Sequence, residues 1–196
     1  VDQPAAFRLV ACLGNPGAQY VGTRHNAGFL VGDELARRSL CAFSFDRKWN
    51  AETAPCGGRT LMKPQTFMNL SGESVGEFAR YYKIPANQIL VVLDDTALPL
   101  GNVRLRKSGT AGGHNGLESV LVHLGTEAVP RLRVGVGAPD RASLEDHVLG
   151  RFGDDELPAV RRGIQRAADA FECANAHGID AAMNTFNQKP VETQEP

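Results

Sequence analysis

The sequence has little that would mark a membrane protein, a disulfide scaffold or a metal centre. No apolar run approaches the roughly 20 residues that a membrane-spanning helix needs. Val1 to Phe7 carry neither the basic stretch nor the apolar core of a secretory leader, so none is expected. Four cysteines, Cys12, Cys41, Cys56 and Cys173, are scattered through 196 residues without a C-x-x-C pair. That spacing predicts reduced thiols in a cytoplasmic protein and argues against a disulfide framework or a structural zinc site. Of the five histidines, His114, His123, His147 and His177 show no metal-ligand spacing. A G-x-S-x-G nucleophile elbow is also missing, since "NLSGES" is not one. The glycines of "CLGNPG" are only Gly14 and Gly17, with Pro16 between them, which excludes the dinucleotide fingerprint. They read instead as a sharp turn that presents Asn15 into a cleft.

What is present suits one globular domain, with 42% hydrophobic and 22% charged residues. That domain is expected over residues 1–187, followed by a polar, proline-bearing tail, "QKPVETQEP", at 188–196 that should be frayed. Apolar runs and turn residues alternate. "FRLVACLG", "RTLMKP", "QILVVLDD", "NVRLRK" and "RLRVGVG" read as strands, and "QILVVLDD" has the unbroken apolar character of one buried on both faces. "NAGFLVGDELARRSL", "NLSGESVGEFARYYKI" and "HNGLESVLVHLG" read as helices, with Asn69 or Ser71 as N-cap of the second. A long helix follows, with Pro158 in its first turn, and "IDAAMNTFN" adds a last short one. This alternation predicts an α/β fold with helices on both faces of a sheet.

The net charge of −1 hides an uneven distribution. Between Gly101 and Arg133 stand five bases against two acids, whereas Asp140 to Pro196 holds six bases against eleven acids. A basic face of that kind is compatible with phosphate binding, and equally with a solvated strand.

One histidine and one pair of acids remain for chemistry. His25, in "GTRHNAGF", sits where a loop becomes a helix, and its side chain trades protons near neutral pH. Asp94 and Asp95 end the most buried strand, where open α/β sheets bind ligands. A histidine held by a carboxylate and facing a water is a general-base arrangement. A helix-start cap for His25 and a solvated strand end for the acids are the plain alternatives. Asn15, Asn69 and Asn115 each stand at a strand end or helix start, where a neutral amide can face a cleft as donor and acceptor at once. Capping is the plain alternative for the last two.

Taken together, "GNPGAQYVGTRHNAGF", "KPQTFMNLSG", "ILVVLDD…LPLG" and "GTAGGHNGLESV" resemble, in order and spacing, the bacterial-type peptidyl-tRNA hydrolases. "RLRVGVGAP" and "HVLGRF" extend the likeness over roughly Leu9 to Asn187. The resemblance implies a monomeric single-domain α/β protein with a mixed, twisted sheet, which hydrolyses the ester between a peptide and the terminal ribose of tRNA without a cofactor. It implies that His25 is the base and Asp94 its orienting acid. Asn15, Asn69 and Asn115 would hold peptide and water, Tyr20 and Met68 would line the same cleft, and His114 would precede the third amide. Arg106 and Arg133 would grip tRNA phosphate, and residues 138–149 would form a lid. The chain departs from the usual family pattern in carrying Ala97 for an acid or amide, Arg106 where many members have lysine, and Thr110-Ala111 in a stretch often richer in glycine. A non-catalytic RNA-binding protein on this fold and a general esterase are the alternatives; the first would expose an apolar patch for a partner, the second would ignore the tRNA body.

Overall fold

Most of the apolar runs pair into one seven-stranded mixed sheet, and their alternation decides which face each residue covers. The computed structural model describes residues 7–139 and 143–188. β1 (Leu9–Cys12) has β4 (Arg59–Pro64) on one side and β5 (Ile89–Asp95) on the other, both parallel to it. β7 (Arg131–Gly135) lies parallel beyond β5, and β6 (Val103–Arg106) closes that edge antiparallel. On the other edge β3 (Ala51–Cys56) and β2 (Ser44–Asp46) are antiparallel, giving the order β2-β3-β4-β1-β5-β7-β6.

Val10 and Cys12 of β1, with Leu90 and Val92 of β5, pack towards α1 (Ala27–Arg38), α5 (Leu157–His177) and α6 (Ile179–Phe186). The alternate residues, Leu9, Ala11, Ile89, Val91 and Leu93, pack towards α2 (Ser71–Tyr81) and α3 (Asn115–Leu124). β5 is buried along its whole length, as a central parallel strand requires. The chain leaves β1 through α1 on one face and β4 through α2 on the other. The loops therefore part at the carboxyl ends of β1, β4 and β5, which opens a crevice there. Gly28 lets the start of α1 enter this crevice, because a Cβ at that position would run into the carbonyl oxygens of Leu13 and Val92.

Three expectations need correction. The β2–β3 pair is missing from the strands expected, because β2 is only three residues long and Pro55 stands inside β3 opposite Thr60. Neither Asn69 nor Ser71 caps α2: the cap position is Leu70, and Ser71 Oγ donates to the Met68 carbonyl at 2.8 Å. Nor are all four thiols free, since Cys41 and Cys56 form a disulfide, with Cα atoms 5.9 Å apart. The β3–β4 hairpin carries Cys56 to the exit of α1, a proximity that linear spacing does not express. Cys12 and Cys173 are free, and burial pushes the Cys12 thiol up to about 12, with Lys63 opposing and Asp33 adding to the shift. Non-reducing peptide mapping should recover the Cys41–Cys56 link. With its two cysteines 15 positions apart, the link should make reduction cost about 3 kcal/mol of unfolding free energy, read from the denaturant midpoint.

At the β6 edge, Asn187 follows α6 and lies along the strand. The Leu105 N–H donates to Asn187 Oδ1 at 2.7 Å, and Asn187 Nδ2 donates to the Leu105 carbonyl at 3.1 Å. One side-chain amide thus takes the hydrogen bonds a neighbouring strand would take. No helix among the described residues is long and apolar enough to cross a membrane. Of the expected tail, only Gln188 lies within the described residues, and residues 140–142 of the expected lid lie outside them.

Candidate active site

His25 occupies a 3-10 turn, Arg24–Asn26, that runs straight into α1. Its Nδ1 lies 2.8 Å from Asp94 Oδ1, and the carboxylate is only 3% exposed. Asp94 follows the parity of Leu90 and Val92, so it emerges at the strand end towards the α1 face. His114 reaches the same oxygen from the other side, with Nε2 at 2.9 Å from Asp94 Oδ1. The Leu117 N–H donates to His114 Nδ1 at 3.2 Å, which makes His114 the cap of α3. Since Nδ1 accepts there, Nε2 carries the proton and donates to Asp94. Asp94 Oδ1 thus takes one bond from each ring. His25 donates through Nδ1, leaving Nε2 as its basic nitrogen.

Burial pushes the Asp94 carboxyl towards a higher pKa. The electrostatic and hydrogen-bonding interactions with His114, then those with His25, outweigh it and hold the group well below the usual carboxylate range. The ligand atoms of His25, Asp94 and His114 lie within 4.8 Å of one another, a metal-like grouping. They are spent on each other, however: one oxygen bonds both rings directly, and the second nitrogen of His114 holds the α3 backbone.

Asn15 is fixed as firmly. The side chain of buried Asn26 pairs with the backbone of Asn15, accepting from its N–H at 2.8 Å and donating to its carbonyl at 3.0 Å. The Met68 N–H donates to Asn15 Oδ1 at 2.8 Å. The side-chain oxygen of Asn15 is thus engaged, which leaves the Nδ2 amino group as a donor towards the cleft. Because His114 caps α3, the exposed Asn115 is not needed as a cap. Asn69 is likewise exposed, one residue beyond buried Met68. All nine expected residues, Asn15, Tyr20, His25, Met68, Asn69, Asp94, Arg106, Asn115 and Arg133, line a single cleft of about 790 Å³.

The basic wall is more selective than the sequence suggests. Arg131 is 3% exposed and donates to the carbonyls of Gly109, Thr110, Val129 and Glu127, so it braces the loop before α3. Burial lowers its pKa, and the charge of Arg133 adds to that. Lys107 is paired with Asp180. Arg106 and Arg133 both line the cleft, Arg133 with its Nε 2.7 Å from Asp95 Oδ2. The Ala97 N–H donates to the other oxygen of Asp95 at 2.9 Å. The second acid of the pair thus steadies an arginine and a turn, and position 97 contributes through its backbone.

The family profile described as peptidyl-tRNA hydrolase matches residues 9–194. The chain belongs to the peptidyl-tRNA hydrolase family. It is 47% identical over 193 residues to the peptidyl-tRNA hydrolase of Synechococcus sp. (strain JA-3-3Ab), covering 94% of this chain and 84% of that one. It is 44% identical to that of Alkaliphilus metalliredigens, covering 91% and 98% of the two chains. The crystal structure of peptidyl-tRNA hydrolase from Acinetobacter baumannii superposes with a TM-score of 0.89 at 32% identity, over 97% of this chain and all of that one.

In this member of the peptidyl-tRNA hydrolase family a short helix, α4 (Leu144–Leu149), completes the cleft with Leu144, Val148 and Leu149. Ser143 caps it, and His147 Nε2 donates to the Gly137 carbonyl at 2.8 Å, tying the helix back to its own approach. Sequence reasoning assigns no structural part to Asn26 or His114, and singles out Asp95 only as one of the acid pair. The signal that could have found the first two is position: each stands next to a residue singled out for chemistry.

Proposed function

We propose that the chain hydrolyses peptidyl-tRNA, cutting the ester between the peptide and the terminal ribose and returning free tRNA from stalled or abandoned translation. The observation that supports this most is the shared Asp94 oxygen, which sets His25 as a base among three amides. His25 Nε2 takes a proton from a water, and the water oxygen attacks the ester carbonyl. Asn15, held with its amino group free, donates to the oxygen on which negative charge develops. Such a donor supplies about 3 kcal/mol in a preorganised site. The carbon–oxygen bond to ribose then breaks, and the imidazolium returns its proton to the leaving ribose oxygen. Asn69 and Asn115 bind the first carbonyl and N–H groups of the peptide, with Met68 and Tyr20 as walls. Neutral amides suit a peptide better than the charged amine of a free aminoacyl ester.

Arg106 and Arg133 hold tRNA phosphate without reading sequence. Changing both to glutamine is expected to raise KM for the tRNA substrate about tenfold at physiological salt. The slope of log affinity against log salt should flatten by about 1.5 to 2, and a short ester substrate should be spared. The chain acts as a monomer in the cytoplasm, where peptidyl-tRNA arises, and α4 serves as the lid. The direct test is hydrolysis of an N-blocked aminoacyl-tRNA beside its unblocked counterpart. Release of tRNA from the blocked ester alone is expected. Binding without release from either would point to an RNA-binding protein, and indifference to the tRNA body to a general esterase.

A further inference from the structure

The residue immediately before the base has its side chain turned away from the reaction. Arg24 Nη2 donates to both carboxylate oxygens of Glu156, at 2.9 and 2.7 Å. Its Nη1 donates to the Arg151 carbonyl at 2.5 Å, and the guanidinium lies 5.0 Å from the centre of the Phe152 ring. The backbone joins in: the Arg24 N–H donates to the Gly150 carbonyl at 3.0 Å, and Thr23 bridges Arg151 as in a two-stranded sheet. Glu156 in turn accepts from the Gly153 N–H at 2.7 Å, which closes the turn that carries it. Every one of these contacts grips residues 150–156, the segment into which α4 runs at its C-terminal end.

We propose that Arg24 is a positioning residue that straps the root of the lid to the turn carrying the catalytic base. This rests on the peptidyl-tRNA hydrolase reading of the cleft. α4 is held at two points. His147 ties it to Gly137 on one side, and Arg24 ties its exit to the turn that carries His25 on the other. The same 3-10 turn carries Asn26, which fixes the backbone of Asn15. A displacement at Leu149 therefore reaches base and amide donor through a single rigid turn, without passing through the sheet. Both terminal nitrogens of Arg24 are engaged by the strap, and its Nε is buried. Its side chain is 11% exposed and its charge is matched by Glu156, so it is not a phosphate ligand. On this arrangement, a substrate that seats α4 over the cleft also sets the alignment of the base. Occupancy by the peptide, and not tRNA contact alone, then governs the rate of the chemical step.

The test compares wild type, Glu156→Gln, Leu149→Ala and the double variant, using N-blocked aminoacyl-tRNA and amide hydrogen exchange. Glu156→Gln should lower kcat about tenfold with KM within about twofold, and speed exchange of the amides of 144–149 at least about tenfold. Leu149→Ala should lower kcat as well, and the double variant should lose no more than the worse single, because both act through one strap. Losses that multiply, or exchange unchanged in Glu156→Gln, would overturn the proposal, since Arg24 would then be a local brace. Arg24→Lys keeps a charge for Glu156 but loses the second arm to Arg151, and is read the same way should Glu156→Gln misfold. If wild type leaves the blocked ester intact, the functional reading fails, and the exchange measurement alone decides the strap.

Discussion

Replacing His25 with alanine should lower kcat on an N-blocked aminoacyl-tRNA by at least about 10³-fold, within the span general bases supply, while tRNA affinity stays within about twofold. The separation follows from where the groups lie. His25 sits at the strand ends with its second nitrogen engaged by Asp94. The charges proposed to meet phosphate, Arg106 and Arg133, come from β6 and β7 and bond to neither ring. Removing the imidazole deletes the only basic nitrogen the hydrogen-bond pattern leaves free in this cluster, because His114 uses its own Nδ1 to cap α3. Single-turnover hydrolysis beside a filter-binding titration measures both quantities. An equal loss of rate and affinity would remove His25 from the role of base.

Asp94→Asn is expected to cost about 10² to 10⁴ in kcat, as for the orienting acid of a catalytic triad. Asparagine is nearly isosteric and can still offer one oxygen to both rings, so the loss reports chiefly the missing charge. That charge is buried between two imidazoles and stabilises the imidazolium while His25 carries the proton. Acid titration provides a second reading. Asp94 has a folded pKa below its unfolded value of about 3.9, so its contribution to stability is complete above that value and lost only as pH falls below it. Between about pH 4 and pH 2 the melting temperature of wild type should therefore fall more steeply than that of the asparagine variant. Parallel curves would mean that the carboxylate is not held as its contacts with the two histidines require.

Those two residues were legible because strands that end and helices that start leave strong marks in a sequence. β5 announces itself by the unbroken apolar run from Ile89 to Leu93, and Asp94 is where that character stops. Asn15 and His25 flank a glycine-marked turn. The division of labour around them left no such mark. Arg131 and Arg133 share a strand and a face, yet the first is consumed by loop carbonyls while the second pairs with Asp95 and lines the cleft. That difference depends on where residues 108–113 fold back, which no local pattern encodes. His114 looked like the neighbour of an amide, and its bond to an acid 20 positions earlier exists only once α3 docks against β5. Cys41 and Cys56 failed to stand out for the same reason: their partnership belongs to the hairpin and not to their separation.

Asn187 sets the smallest length at which this sheet is safe in solution. A chain ending before it would keep all seven strands and the whole cleft, and a catalytic assay on dilute protein would find nothing wrong. Such a chain would nevertheless present the backbone N–H and carbonyl of Leu105 to any passing extended segment. Edge strands left open in this way recruit copies of themselves. The defect would emerge with concentration, as self-association and loss of soluble material, before any fall in turnover.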